Sequence, residues 1–583
     1  MGAASRGRGL KQTRRTQVSD KQVIIFGGDP AGVAAAIEQA EAGRRVVLVE
    51  SSPTLGGERI PQTHLLNGNP IWVNPNWEAA KKHPNIRIIT NAQVEKAAAK
   101  DGSYTFRIRR KTSRVDIEKC DGCRECIRVC PINMYDDFNE GIGFRTAIDF
   151  FNPHTGDFNI FKEDMPVCQA TCPANLDIRS YVGLIADGEY EKSLAKIRER
   201  LPFALSIGRV CPHPCETACN RGYMDEPISI CTLKRYAADY EMKNRITAPV
   251  EVPDEFHKEK IAIIGAGPAG LSCACFLGRA GYHSVVFEAL PEPGGMLRYG
   301  IPEYRLPTPT LMHEINWILA HGSELRCNTR IGKDISFEDI MNEFDAVFIG
   351  VGAHMGMKLQ IKGEDMEGVV DGVDFLREVN SGKKWPAKGK VIVIGGGNVA
   401  MDAARVSWRE GFDEVHILYR RTKKEMPASP WEIDAAEHEG IKIQYLVAPV
   451  EVIGKDGRMS GLKCLRMQLG EPDASGRRRP VPIEGSEFVV EAETLIPAIG
   501  QRPDLSFVSE GSGLKITRWE TFAVDKSTYM TNVEGVFSAG DVETGPDIAI
   551  RACAGGRKAA QGIMRYIEAK RGGKTETAGT VLR

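Results

Sequence analysis

No run of about 18 apolar residues occurs in the chain, so no helix is expected to cross a membrane. Neither sign of charge prevails. Lys and Arg number 76 and Asp and Glu 77, for a formal net charge of −1, which leaves no broad basic field for nucleic acid. Residues 1–17 lack the apolar core of a secretory signal. Arg14-Arg15 is a twin-arginine pair without its apolar stretch, and Arg6 stands where a myristoylation motif wants Ser or Thr. Residues 1–20 are expected to form a disordered tail. Cysteines at metal spacing, with no such signal, point to a reducing cytoplasm rather than to disulfides.

What is present is glycine, cysteine and a recurring local pattern. At 583 residues the chain has room for about four ordinary domains. Its 60 glycines exceed the usual share of about 7%. Residues 21–50 read as strand, glycine turn, helix and strand, and the unit recurs at 260–288 and 390–419. Three such units predict an α/β fold with parallel sheets and tandem Rossmann-like nucleotide-binding domains.

The three glycine loops differ in chemistry. Gly265-Ala-Gly267-Pro268-Ala269-Gly270 has the full dinucleotide pattern. Its glycines allow the turn, the approach of a pyrophosphate and close helix packing, and Glu288 stands where an acid binds ribose hydroxyls. Gly395-Gly-Gly397-Asn398-Val399-Ala400 is a variant whose following strand ends in Arg420-Arg421 instead of an acid. Two guanidiniums there favour NADP(H), whose 2′-phosphate they can clamp. Gly27-Gly-Asp29-Pro-Ala-Gly32 keeps the ribose acid, Glu50, but puts Asp29 at the close-approach position. Its carboxylate would repel a pyrophosphate, so a degenerate lobe that docks or scaffolds is expected.

Ten of the fifteen cysteines lie between Cys120 and Cys231. Cys120, Cys123, Cys126 and Cys130, followed by Pro131, have the spacing of bacterial ferredoxin clusters, in which the last thiolate can serve another cluster. Cys168 and Cys172, then Cys211, Cys215 and Cys219, put thiols on adjacent helical turns, and Cys231 follows. Zinc would prefer well-separated paired knuckles. Ten thiols suffice for two 4Fe-4S clusters; three would need two ligands that are not cysteine. Cys273, Cys275, Cys327, Cys464 and Cys553 are expected to pack as small apolar residues. A cluster moves one electron and a nicotinamide a hydride, so a chain with both needs a converter, for which a flavin is suited. No cysteine pair follows the second loop, where the sequence is Gly294-Gly-Met-Leu-Arg-Tyr-Gly300. That argues against a disulfide reductase using its own dithiol. No Ser/His/Asp or metal-hydrolase set is evident either.

From about residue 165 to 566 the chain resembles the glutamate synthase small-subunit family, which includes the large subunit of bifurcating ferredoxin:NADP transhydrogenase and half of dihydropyrimidine dehydrogenase. The resemblance rests on Cys168-x3-Cys172-Pro-Ala-Asn-Leu-Asp-Ile, Gly208-Arg-Val-Cys211-Pro, the Gly265 loop, Pro293-Gly-Gly-Met-Leu-Arg-Tyr-Gly-Ile-Pro302, Tyr419-Arg-Arg with Glu425-Met-Pro-Ala428, Ala498-Ile-Gly-Gln-Arg-Pro503 and Gly540-Asp541. It implies FAD on the central unit, with Gly294, Gly295 and Arg298 near its pyrophosphate and Asp541 near its ribityl chain. The helix after Gly545, entered through Ile548, would aim its positive end at the flavin ring. NADP(H) falls on the inserted unit, with Arg421 and Glu425 orienting its nicotinamide side. The chain departs from the family twice. No Cys-x2-Cys precedes Cys168, and Lys234 stands where the family often has a Glu or Gln cluster ligand. Cys231, one helical turn earlier, can replace it, which groups Cys172, Cys211, Cys215 and Cys231 at one cluster. The other site would be rebuilt from the Cys120–Cys130 loop. Residues 20–160 are similar to the flavin-carrying subunit of heterodisulfide reductase through the degenerate loop, Leu55-Gly-Gly57, His83-Pro-Asn-Ile86, the Cys120 loop and Phe138-Asn-Glu-Gly-Ile-Gly143.

The expected order is a lobe at 21–115, an iron–sulfur domain at 116–245, an FAD domain in two parts (256–385 and 491–572) and an NADP(H) domain at 386–490. The expected protein is an oxidoreductase subunit that converts hydride into single electrons. It would serve a heterodisulfide reductase-like, hydrogenase-like or ferredoxin partner, including complexes that bifurcate electrons. The alternatives are a non-catalytic iron–sulfur scaffold and a small subunit that feeds a glutamate synthase large subunit.

Overall fold

The computed structural model describes residues 22–52, 55, 65–66, 69–70, 77–100, 103–110, 125–130, 133–135, 144–146, 148–152, 157–160, 165–246, 248–473 and 476–571. The expected tail at 1–20, Gly56-Gly57, the 138–143 motif, Cys120 and Cys123 lie outside them. The chain divides into two compact units, Met1–Met165 and Pro166–Arg583. The division cuts the expected 116–245 domain in two. Its physical reason lies in the core: Cys172, Cys211, Cys215 and Cys231 belong to one apolar cluster with Ile261, Ala269 and Cys273 of the central unit.

In the first unit three parallel strands pair in the order Gln22–Phe26, Arg45–Val49, Ile86–Ile89. The helix Pro30–Glu41 packs Val33, Ala36 and Ala40 onto them. An antiparallel hairpin, Ala92–Lys100 with Ser103–Arg110, follows.

The second unit opens with short helices, among them Ile178–Ala186, Tyr190–Arg198, Ala204–Val210 and Ile230–Lys243. Two buried charges tie them down. Arg198 donates to both carboxylate oxygens of Glu241 at 2.7 Å. Glu314, from the helix Thr308–Leu319, accepts from the backbone N–H groups of Leu205 (2.6 Å) and Ser206 (2.9 Å), which begin the helix Ala204–Val210. Burial pushes the Glu314 carboxyl up to about 7. The folded state therefore holds a proton that the unfolded chain releases near pH 4.5. Glu314 contributes stability below that pH and loses it as pH rises towards about 7. Glu314→Gln should flatten the fall in melting temperature between about pH 5 and about pH 8; an unchanged slope would exclude this account.

The central sheet has five parallel strands, running Ser323–Arg326, His283–Phe287, Lys260–Ile264, Ala346–Ile349, Val536–Ser538. Its last strand comes from beyond the inserted domain, so the central domain is discontinuous. The inserted sheet runs Lys442–Tyr445, Glu414–Tyr419, Lys390–Ile394, Thr494–Pro497. The boundary expected at 490/491 therefore falls too early, because Thr494–Pro497 pairs in parallel with Lys390–Ile394. An antiparallel sheet, Val447–Lys455, Arg458–Pro472, Arg478–Pro482 and Phe488–Glu491, fills the rest of the insert.

Candidate redox site

Three chain segments converge on the first turn of the helix Pro268–Arg279. A Cβ on Gly295 would lie 2.9 Å from the Gly267 Cα, and one on Gly540 would lie 3.0 Å from the Ala269 Cβ. A Cβ on Gly267 would meet nothing nearer than the Gly295 Cα, at 3.9 Å. The result is a cradle free of side chains at a helix N-terminus, where backbone N–H groups await a phosphate. Beneath it, Glu288 is buried and accepts from Ala266 N–H and Leu290 N–H, both at 2.9 Å. Burial raises its carboxyl above the usual range. Asp541 starts the short helix Asp541–Thr544, and burial pushes its carboxyl up to about 7. Gly294 continues the Gly295 turn, its N–H bonded to the Ala266 carbonyl at 2.8 Å. Arg298 leaves the following helix to donate to the Asn380 carbonyl at 2.8 Å. These residues fit a dinucleotide: the pyrophosphate needs the open cradle and the ribose needs a carboxylate.

The helix Ala549–Arg571 runs from this cradle to the cysteines. Gly556 packs against Ala269, and Ile548 precedes its first turn. Ile550, also on its first turn, lines a cavity together with Cys172, Cys211, Cys215, Cys231, Tyr181, His213 and Lys234. Each thiol owes its place to a local device. Cys172 and Cys211 end the helices Val167–Thr171 and Ala204–Val210 in extended conformation. Cys215 lies in the turn Pro214–Thr217. Cys231 begins the helix Ile230–Lys243, where Glu216 accepts its N–H at 2.7 Å. Cys211 is the thiolate of a hydrogen-bonded pair. Cys231 donates to it, which pulls the Cys211 pKa down to about 6 and raises that of Cys231. His213 N–H also points at the Cys211 Sγ, at 3.4 Å. Burial pushes Cys215 up to about 12. Among the described residues no three His, Cys, Asp or Glu side chains gather to hold a single metal ion. Four thiols around a shared cavity suit a larger, multinuclear group.

Cys168 and Cys219 stand apart from this cavity, half-buried, and Cys219 is one of the charges that raise the Cys168 pKa, after burial. Cys126 lies on the short helix Glu125–Val129 of the first unit, and Cys130 directly follows it; both are half-buried. The remaining cysteines pack as expected, with Cys273, Cys275, Cys464 and Cys553 fully buried. Cys327, by contrast, is only half-buried.

In the insert, Gly397 opens onto free space at the N-terminus of the helix Asn398–Glu410. The Asn398 side chain accepts from Ser429 N–H at 3.0 Å, Val399 is half-buried, and Ala400 packs against Gly395. The two arginines part company. Arg421 is buried, donating to Asp473 and to the Arg478 carbonyl, both at 2.8 Å. Arg420 is exposed at the strand end. Sequence reasoning missed Asp473, which lies 52 positions from Arg421. It also placed Glu425 at the nicotinamide. The carboxylate instead closes a capping box, accepting from Thr422 N–H at 3.1 Å and from the Thr422 hydroxyl. It therefore braces the strand end.

The degenerate loop shows why it is degenerate. Glu50 accepts from Gly28 N–H and, at 2.6 Å, from Ser52 N–H, much as Glu288 holds its own turn. Asp29, however, caps the helix Pro30–Glu41 by accepting from Gly32 N–H at 2.7 Å. An internal carboxylate occupies the N–H group that a phosphate would need.

Residues 259–556 match the family model described as pyridine nucleotide-disulphide oxidoreductase. The chain belongs to that family. Residues 162–246 match a model described as dihydropyrimidine dehydrogenase domain II, 4Fe-4S cluster, and residues 22–67 one described as FAD dependent oxidoreductase. The chain is 45% identical to the NADPH-Fe(3+) oxidoreductase subunit beta of Geobacter sulfurreducens, over 69% of this chain and 63% of that one. It is 45% identical to the NADP(+)-dependent formate dehydrogenase subunit beta of Moorella thermoacetica, over 69% and 60%. It is 34% identical to the glutamate synthase [NADPH] small chain of Escherichia coli, over 78% and 98%. The chain thus spans less than two thirds of the first two relatives. It is an oxidoreductase built on two dinucleotide-binding domains, preceded by a helical domain of the 4Fe-4S type.

Proposed function

We propose that the chain exchanges electrons between NADP(H) and a partner redox protein through FAD and iron–sulfur clusters. One observation carries this reading: the helix Ala549–Arg571 touches the glycine cradle through Gly556 and lines the four-thiol cavity through Ile550. A flavin in the cradle and a cluster in the cavity would be neighbours across one helix. When bound, the flavin supplies the conversion of a hydride into single electrons. The chain holds and orients. The Gly267, Gly295 and Gly540 backbones leave room for the pyrophosphate, with Glu288 beneath. Gly397 and Arg420 receive the second dinucleotide, and Cys172, Cys211, Cys215 and Cys231 hold a cluster. The fate of the remaining thiols, and hence a second or third cluster, stays with this proposal.

Arg420 is the exposed cation at the strand end and is proposed to read the 2′-phosphate; Arg421, paired with Asp473, shapes the wall behind it. A lost charge-assisted bond of about 1.5–3 kcal/mol predicts that Arg420→Ala raises the KM for NADPH at least about tenfold and leaves NADH nearly unchanged. Equal effects on both nucleotides would assign Arg420 elsewhere.

The proposed partner is a heterodisulfide reductase-like, hydrogenase-like or ferredoxin-type protein. The named relatives are subunits that act with other chains, and residues 1–165 form a unit of their own for docking. A second reading, a small subunit feeding a glutamate synthase large subunit, is favoured by the match to 98% of that small chain. Anaerobic low-salt purification of the tagged protein from its host, with mass spectrometry of what accompanies it, separates the two. A glutamate synthase large subunit in stoichiometric yield would overturn the first reading.

A further inference from the structure

Lys234 lies on the same face as Cys231, one turn further along the helix Ile230–Lys243. Only 4% of it is exposed, and it lines the cavity of the four thiols. Buried lysines are rare without a partner. Here the negative groups around the amine are the thiols of Cys231, Cys211, Cys172 and Cys215, and no carboxylate among the described residues pairs with it. A solitary ammonium in a dry site costs several kcal/mol. Its retention means that it faces an anion large enough to repay that cost. The four thiols, when they hold a cluster, form such an anion.

We infer that Lys234 is the counter-charge of the cluster held by Cys172, Cys211, Cys215 and Cys231, and that it raises the reduction potential of that cluster. The inference rests on the cluster assignment proposed above. A cluster with four thiolate ligands is negative, and it gains one further negative charge when it takes an electron from the reduced flavin. A fixed positive charge beside it stabilises the reduced form more than the oxidised form. Lys234 thereby makes the electron's move from flavin to cluster more favourable without ligating iron. It is a positioning residue of electrostatic kind, and replacing its charge should leave the four iron ligands in place.

The test is a dye-mediated potentiometric titration of the full-length protein, followed by electron paramagnetic resonance, in wild type and in Lys234→Arg, Lys234→Met and Lys234→Gln. Cys231→Ala identifies which signal belongs to this cluster, and any other iron–sulfur signal serves as an internal reference. Lys234→Met and Lys234→Gln should lower the ratio of reduced to oxidised cluster about tenfold at fixed potential, a shift of about 59 mV for one electron. Lys234→Arg should stay near wild type, and the reference signal should not move. Neutral variants that fail to assemble the cluster while Lys234→Arg assembles it would also support a counter-charge. Unshifted potentials in the neutral variants would overturn the inference, as would loss of the cluster in all three. If Cys231→Ala removes no signal, the cluster assignment itself fails, a result distinct from failure of the role of Lys234.

Discussion

Cys215→Ala should yield protein that keeps its flavin and loses one iron–sulfur cluster. Cys215 is buried in the wall of the cavity shared with Cys172, Cys211 and Cys231. It lies in the turn Pro214–Thr217, away from the glycine cradle, so its loss should not disturb the flavin domain. NADPH should still bleach the flavin in this variant. Transfer onward to a one-electron acceptor protein should fall by more than about 100-fold, because changes to outer-shell partners alone cost about 10–100-fold. Iron analysis, the flavin spectrum and acceptor reduction under anaerobic conditions check the three parts separately. A variant with full iron content would remove Cys215 from the ligand set. One that loses flavin together with iron would show a shared folding defect instead.

Gly267→Val and Gly397→Val form the second pair of large effects, and they should separate the two nucleotides. At both positions the backbone is extended, with φ near −84° and −91°, so valine fits the chain. A Cβ on Gly397 meets nothing within 4 Å, and one on Gly267 meets only the Gly295 Cα. The fold therefore tolerates the side chains, while a pyrophosphate drawn onto the helix N–H groups does not. Gly267→Val should purify without flavin yet with its iron and its circular dichroism intact. Gly397→Val should purify yellow, and NADPH should no longer bleach it. Gly556→Val is the contrasting case. Its Cβ would run into the Ala269 carbonyl between two packed helices, an overpacking that costs about 1–3 kcal/mol or more and should lower stability directly. If Gly267→Val bound flavin normally, the cradle would not be the flavin site.

The three glycine loops and the parallel sheets behind them were legible because a βαβ unit writes its turn, its helix and its acid within some thirty residues. The grouping of Cys172, Cys211, Cys215 and Cys231 was legible only through the spacing of family motifs, since its members come from four separate helices. Lys234 was noticed as a departure from a family ligand, but nothing local marks it as buried; a lysine in an amphipathic helix usually faces water. Asp473 was hidden because a strand-end arginine and a hairpin turn far along the chain meet only once the antiparallel sheet of the insert has formed. Glu425 shows the opposite failure. Thr422-x-x-Glu425 is a legible capping box, yet its place beside the nucleotide motif drew a functional reading. The boundary near residue 490 failed because Thr494–Pro497 is short and apolar, and such a strand can join either parallel sheet until pairing decides. Asp29 was read as a residue that would repel phosphate. In the structure it also takes the Gly32 N–H for itself, which makes the loop complete without a ligand.

The central claim is that nicotinamide, flavin and cluster form one electron path within residues 166–571. Its most direct test is an anaerobic titration of the purified full-length protein with NADPH, followed at once by visible absorption and by electron paramagnetic resonance. The account predicts that the flavin absorption bleaches and that the signal of a reduced iron–sulfur cluster, absent in Cys231→Ala, grows with it. Flavin that stays oxidised under excess NADPH, or bleaches without any cluster signal even when a stronger reductant shows the cluster to be present, would contradict it.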